Sequence, residues 1–120
     1  MDHSRNSLPN ESCALLLGNI EDGNNIVQEI FLTENIDMSP VKFTIADEQL
    51  IKGYSLAESR RVSVIGIFHS HPHSSPYPSE TDKKFMQSNP VVWMIHSGLS
   101  NEIRSYILEQ DIVEIPTVIL

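Results

Sequence analysis

Two histidines, His69 and His71, stand two residues apart at the end of an apolar run, and Asp82 follows within the same polar stretch, HSHPHSSPYPSETD (69–82). Side chains alternate along a strand, so at a strand end the two imidazoles point to one face and Ser70 to the other. Neutral imidazole nitrogen suits zinc. A catalytic zinc site typically takes three protein ligands and leaves the fourth position to water or substrate. Asp82 is the best candidate for the third ligand. Pro72, Pro76 and Pro78 restrict the intervening segment to a stiff arch that can carry Asp82 back over the histidines. The same letters have a plainer meaning. Ser79 followed three positions later by Asp82 resembles a capping box at a helix start, and a His-x-His pair alone does not establish a metal site. The two readings are compatible, because a cap would fix the helix that presents Asp82.

The elements that must position these residues are short apolar runs between polar punctuation, the pattern of a mixed α/β domain. Residues 62–68, VSVIGIF, are rich in β-branched and aromatic side chains and predict a buried central strand running into the histidines. Residues 13–20 and 26–32 predict a hairpin joined by the turn EDGNN at 21–25. Residues 46–60 predict a helix that Gly53 weakens, and 79–89 a short helix stopped before Pro90. Strands are expected at 91–95, 102–108 and 112–119. Cys13, Phe68, Trp93 and Tyr106 read as core, Lys83 and Lys84 as a solvated helix face, and His73 and His96 as surface or polar-pocket residues without a role.

Composition narrows the partners. A chain of 120 residues, 40% hydrophobic, suffices for one domain over 1–120. Its net charge of −8, with Arg60-Arg61 and Lys83-Lys84 as the only adjacent basic pairs, argues against a nucleic-acid phosphate track. A lone cysteine makes no internal disulfide and no Cys-rich zinc knuckle. With neither a signal peptide nor a run of about 18 apolar residues, the expectation is a cytoplasmic protein without a membrane partner.

The string His69-Ser-His71-Pro72, six residues, then Ser79-Glu-Thr-Asp82 resembles the motif of the JAMM/MPN+ metalloprotease family, which includes the deubiquitinating subunits of the proteasome lid and signalosome. PNESCALLLG (9–18) is similar to the family's first strand, in which a glutamate, here Glu11, precedes an apolar run ending in glycine. IRSYILEQDIVEIPTVIL (103–120) resembles the closing strands of compact prokaryotic members.

The resemblance implies a three-layer, cytidine-deaminase-like α/β fold with a mixed curved sheet flanked by helices. It implies one zinc ion per chain on His69, His71 and Asp82, Glu11 as the proton carrier, and Ser79 as a hydroxyl donor to the oxyanion. The implied substrate is a protein carrying a ubiquitin-like or sulfur-carrier modifier joined through its C-terminal glycine, the modifier's tail adding as a strand beside residues 62–68. Two further readings stand beside this one: release of cysteine from a sulfur carrier, and a non-catalytic scaffold, which the complete ligand set disfavours. The chain departs from the family pattern in having about eight residues before Pro9, so the first helix is expected to be short, missing or misplaced. The face it covers is then expected to be closed by a partner or by a second copy in a homodimer. Ala14 replaces a common glycine. There is also little room for the second insertion with which eukaryotic members grip ubiquitin, which speaks against strict ubiquitin-chain specificity.

Overall fold

The computed structural model describes residues 2–118. The elements run α1 (Asp2–Ser7), β1 (Cys13–Glu21), β2 (Asn24–Thr33), α2 (Asp47–Ser59), β3 (Ser63–His71), α3 (Glu80–Ser88), β4 (Val92–Ser97), β5 (Ile103–Leu108) and β6 (Ile112–Ile115). All six strands share one sheet in the order β2-β1-β3-β4-β5-β6. β3 and β4 are parallel, crossed over by α3, and the remaining neighbours are antiparallel. This is the mixed sheet flanked by helices that the sequence implied.

Each boundary has a local cause. The hairpin turn tightens to Asp22-Gly23, with φ of 50° and 79°. Both central residues lie in the left-handed region, the type I′ geometry that matches the twist of the flanking strands. α2 ends in a Schellman motif: Val62 N–H donates to Ala57 carbonyl at 2.9 Å and Arg61 N–H to Glu58 carbonyl at 3.0 Å. Gly53, which weakens α2 as an isolated helix, is where α2 meets the sheet. A Cβ there would come within 2.4 Å of Leu15 Cδ1. The last strand stops at Ile115 rather than running on to 119, because Pro116 has no N–H for the ladder; residue 119 lies outside the described residues.

Alternation along β1 sorts the core. Cys13, Leu15 and Leu17 face α2 and α3, where they join Phe43, Ala57, Met86, Trp93, Ile95 and Tyr106. Ala14 and Leu16 face the opposite side with Ile65 and Phe68. α1 sits at one end of that second side, held by polar contacts: His3 Nε2 lies 2.9 Å from Cys13 carbonyl, and Ser4 is its one buried residue. α1 is thus short, as expected. Ile30 and Leu32, in register with Leu16 and Ala14 on that side, are more than half exposed.

One expectation fails at this level. β3 is bonded to β1 over Ser63–His69 and to β4 over Gly66–His71, so a substrate tail finds no open edge beside Gly66–Phe68, the part of 62–68 that leads into the histidines. The run was correctly a strand. Whether its edges are free depends on partners far away in sequence.

Candidate metal centre

β3 delivers both histidines to one face, and their side chains are buried. His69 Nε2 and His71 Nε2 lie 3.0 Å apart. Asp82 Oδ2 lies 3.1 Å from the first and 3.0 Å from the second. These three residues form a group that could hold a metal ion. Two neutral imidazole nitrogens at this separation, both turned to the same carboxylate oxygen, cannot each have a good hydrogen-bond geometry. A cation between them resolves the conflict, since ligands about 2.0–2.1 Å from a tetrahedral zinc stand about 3.4 Å from one another. His71 Nδ1 lies 2.9 Å from Ser75 carbonyl. Donating there fixes the tautomer whose Nε2 offers a lone pair.

Asp82 is delivered by α3 through the capping box. Ser79 Oγ accepts from Asp82 N–H at 3.1 Å, and Ser79 N–H donates to Asp82 Oδ2 at 2.9 Å. The capping-box meaning of SETD therefore holds, and the cap sets Asp82 beside the two histidines. Ser79's hydroxyl oxygen is tied to the helix, and its O–H donates to no partner among the described residues. Burial pushes the Asp82 carboxyl up, but hydrogen bonds from His69 and His71 outweigh it and hold the group well below the usual carboxylate range. Burial pulls His69 down; at His71 burial pulls the same way, but the hydrogen bonds to Asp82 and to Ser75 carbonyl outweigh it and raise the group.

Glu11 arrives by long-range pairing. Cys13 is opposite His69 in the β1–β3 ladder, so Glu11, two residues earlier on the same face, comes level with His71. Glu11 is 3% exposed, and its Oε1 has no hydrogen-bond partner among the described residues. Burial pushes its carboxyl up to about 8, with His71 opposing and the Asp82 charge adding. The consequence for stability has a definite sign. The folded metal-free chain binds a proton at Glu11 that the unfolded chain has released above about pH 4.5, so stability falls as pH rises from about 4.5 to about 8. Chemical denaturation of the metal-free protein is expected to show this loss, on the order of a few kcal/mol, and Glu11→Gln to flatten it. An unchanged pH slope in the variant would contradict the assignment.

The segment between β2 and α2 carries residues that sequence reasoning left without a role. Phe43 stacks on His69 with ring centroids 4.8 Å apart. Asn35 organises the segment: its Nδ2 donates to Glu11 carbonyl at 3.1 Å and to Lys42 carbonyl at 2.9 Å, and its Oδ1 accepts from the Asp37 and Thr44 N–H groups. The turn-forming letters N-x-D were the available signal. Thr44 turns its main-chain groups inward to Asn35 and Ile36, whereas the N–H groups of Phe43 and Ile45 donate to no partner among the described residues. Beside them lies an apolar slot of about 170 Å³ lined by Phe43, Ile45, Ile67, Phe85 and Trp93. Through Leu50 it adjoins a wider groove of about 620 Å³ that runs past Ile51 and Tyr54 to Val64. His73 is exposed and His96 is buried with Nε2 3.0 Å from Asn101 Oδ1; neither is drawn into the centre.

Comparison with known proteins identifies the family. The family described as prokaryotic homologs of the JAB domain matches residues 1–109. A desampylase of Pyrococcus furiosus is 33% identical over 83% of this chain and 68% of its own length. A CysO-cysteine peptidase of Mycobacterium tuberculosis is 26% identical over 87% of this chain and 72% of its own. A Lys-63-specific deubiquitinase BRCC36 of Camponotus floridanus is 30% identical over 68% of this chain, which spans only 35% of that protein. Among solved structures, a protein from Desulfitobacterium hafniense superposes with a TM-score of 0.83 at 26% identity, covering 94% of this chain and 80% of its own. A JAB1/MPN domain protein from Archaeoglobus fulgidus, at 22% identity and a TM-score of 0.57, shares the fold over 94% of this chain and 84% of its own. Matched along nearly its whole length, the chain belongs to the prokaryotic homologues of the JAB domain, within the JAMM/MPN+ family.

Proposed function

We propose that this chain is a zinc-dependent isopeptidase that hydrolyses the bond after the C-terminal glycine of a ubiquitin-like or sulfur-carrier modifier. The observation that carries the proposal is the convergence of three ligand atoms at 3.0–3.1 Å beside a buried carboxylate with a free oxygen. His69, His71 and Asp82 hold one zinc ion per chain. Zinc held there supplies Lewis-acid activation of the attacking water and of the scissile carbonyl.

The remaining work falls to side chains. Glu11 takes a proton from the attacking water and passes it to the leaving amine nitrogen as the C–N bond breaks, yielding a glycine carboxylate and a free amine. Ser79 donates its O–H to the carbonyl oxygen as negative charge builds there. The modifier's tail lies along Phe43–Ile45, where the N–H groups of Phe43 and Ile45, unpaired among the described residues, replace the edge that β3 lacks beside Gly66–Phe68, and its body rests on the groove beside α2. We place the activity in the cytoplasm, which suits the unpaired, buried thiol of Cys13. No helix among the described residues is long and apolar enough to cross a membrane.

Relatives named as a desampylase and a deubiquitinase support a protein modifier as substrate, and one named as a CysO-cysteine peptidase supports the cysteine-releasing alternative. The test is intact-mass analysis of ubiquitin-like and sulfur-carrier proteins whose terminal glycine is joined either to a lysine side chain or to free cysteine. Modifier ending in a free glycine is expected from the lysine conjugates. Release from the cysteine adducts alone would favour the alternative, and intact conjugates of every kind with zinc-loaded protein would contradict both.

A further inference from the structure

A buried cluster of hydroxyls lies on the back of the strand pair that builds the site. Ser12 directly follows Glu11, and Ser70 separates His69 from His71. Both serines are buried, and by alternation both point away from the ligand atoms. The β1–β3 register ends with Cys13 opposite His69. One residue further out, Ser70 N–H still donates to Ser12 carbonyl at 3.1 Å. The reciprocal bond has changed: Ser12 N–H donates to the Ser70 hydroxyl at 2.8 Å instead of to main chain. The Ser12 hydroxyl donates to the same Ser70 Oγ at 2.9 Å, and Ser4 of α1 lies 3.4 Å from Ser12 Oγ.

We propose that the Ser12–Ser70 hydroxyl pair is a positioning device for the proton carrier, fixing the offset between Glu11 and the two histidines where only one of the two backbone ladder bonds remains. The inference rests on the roles proposed above for Glu11, His69 and His71. One peptide unit joins Ser12 to Glu11, and one joins Ser70 to each histidine. Any slip across the hydroxyl pair is therefore a slip of the Glu11 carboxylate against the ligand atoms on the other face. All three candidate ligands come from β3 and α3, none from β1. Loosening the pair should consequently leave metal binding intact and reach only the alignment of Glu11, on which proton transfer depends steeply.

The test compares Ser70→Ala, Ser70→Thr and Ser12→Ala with the wild-type chain. The readouts are kcat and KM on a modifier conjugate, zinc per chain by mass spectrometry, and hydrogen exchange at the Ser12 amide. Ser70→Ala is expected to lower kcat about tenfold, with KM within about twofold, zinc retained and faster exchange at Ser12. Ser70→Thr keeps the hydroxyl and should recover most of kcat. Ser12→Ala keeps the Ser12 N–H on Ser70 Oγ and should lose less, about threefold. If Ser70→Ala does not fold, Ser12→Ala decides: lowered kcat with zinc retained supports the proposal, and wild-type kcat overturns it. Unchanged kcat in Ser70→Ala, parallel loss of zinc and activity, or a threonine variant no better than alanine would each overturn it as well. A wild-type chain that binds no zinc and cleaves no conjugate would instead overturn the functional reading beneath it.

Discussion

Glu11→Gln is expected to lower kcat by about three orders of magnitude while the protein keeps its zinc, its fold and its KM. The amide is nearly isosteric with the carboxyl and preserves packing at a buried position. It has no lone-pair oxygen basic enough to accept a proton from water, so the step Glu11 performs is removed. Among the described residues no substitute lies within reach: Asp82 is held ionised by His69 and His71, and its Oδ2 also accepts from Ser79 N–H. Steady-state kinetics alongside metal analysis checks this. Loss of zinc in Glu11→Gln would mean that Glu11 is a ligand, and near-normal turnover would mean that the proton moves by another route.

Asp82→Ala is expected to weaken zinc binding by at least about a hundredfold and to abolish turnover with it. Two effects coincide at this residue. The substitution removes the anionic ligand, leaving two neutral imidazoles that compensate none of the cation's charge. It also removes the acceptor for Ser79 N–H, so the capping box that orients α3 opens. A competitive chelator titration measures the first effect and the thermal midpoint the second. Wild-type zinc affinity in this variant would contradict the ligand assignment.

Legibility in the sequence followed the distance over which each feature is determined. His69, His71, Ser79 and Asp82 lie within fourteen positions, and strand alternation and a helix cap, both local rules, bring them together. Glu11 was different. Its place beside His71 depends on β1 pairing with β3, a contact such as Ser12 to Ser70 that spans 58 residues, and only family resemblance pointed to it. The segment from Glu34 to Ile45 has no hydrophobic period. Its order comes from irregular hydrogen bonds, those of the Asn35 side chain chief among them, so Phe43 over His69 was not foreseeable from pattern. Whether α1 is short, missing or misplaced was not legible, because DHSRNS has no apolar stripe and docks through His3 and Ser4. The expected tail-binding edge at 62–68 was misplaced because β-branched residues report a strand's propensity and say nothing of its neighbours.

Native mass spectrometry of the wild-type chain, purified without added zinc, tests the central claim most directly. One zinc ion per folded chain, released by a strong chelator and regained on titration, is the predicted result. A metal-free mass that takes up no zinc would contradict it, and would leave His69, His71 and Asp82 as a hydrogen-bonded cap at the start of α3.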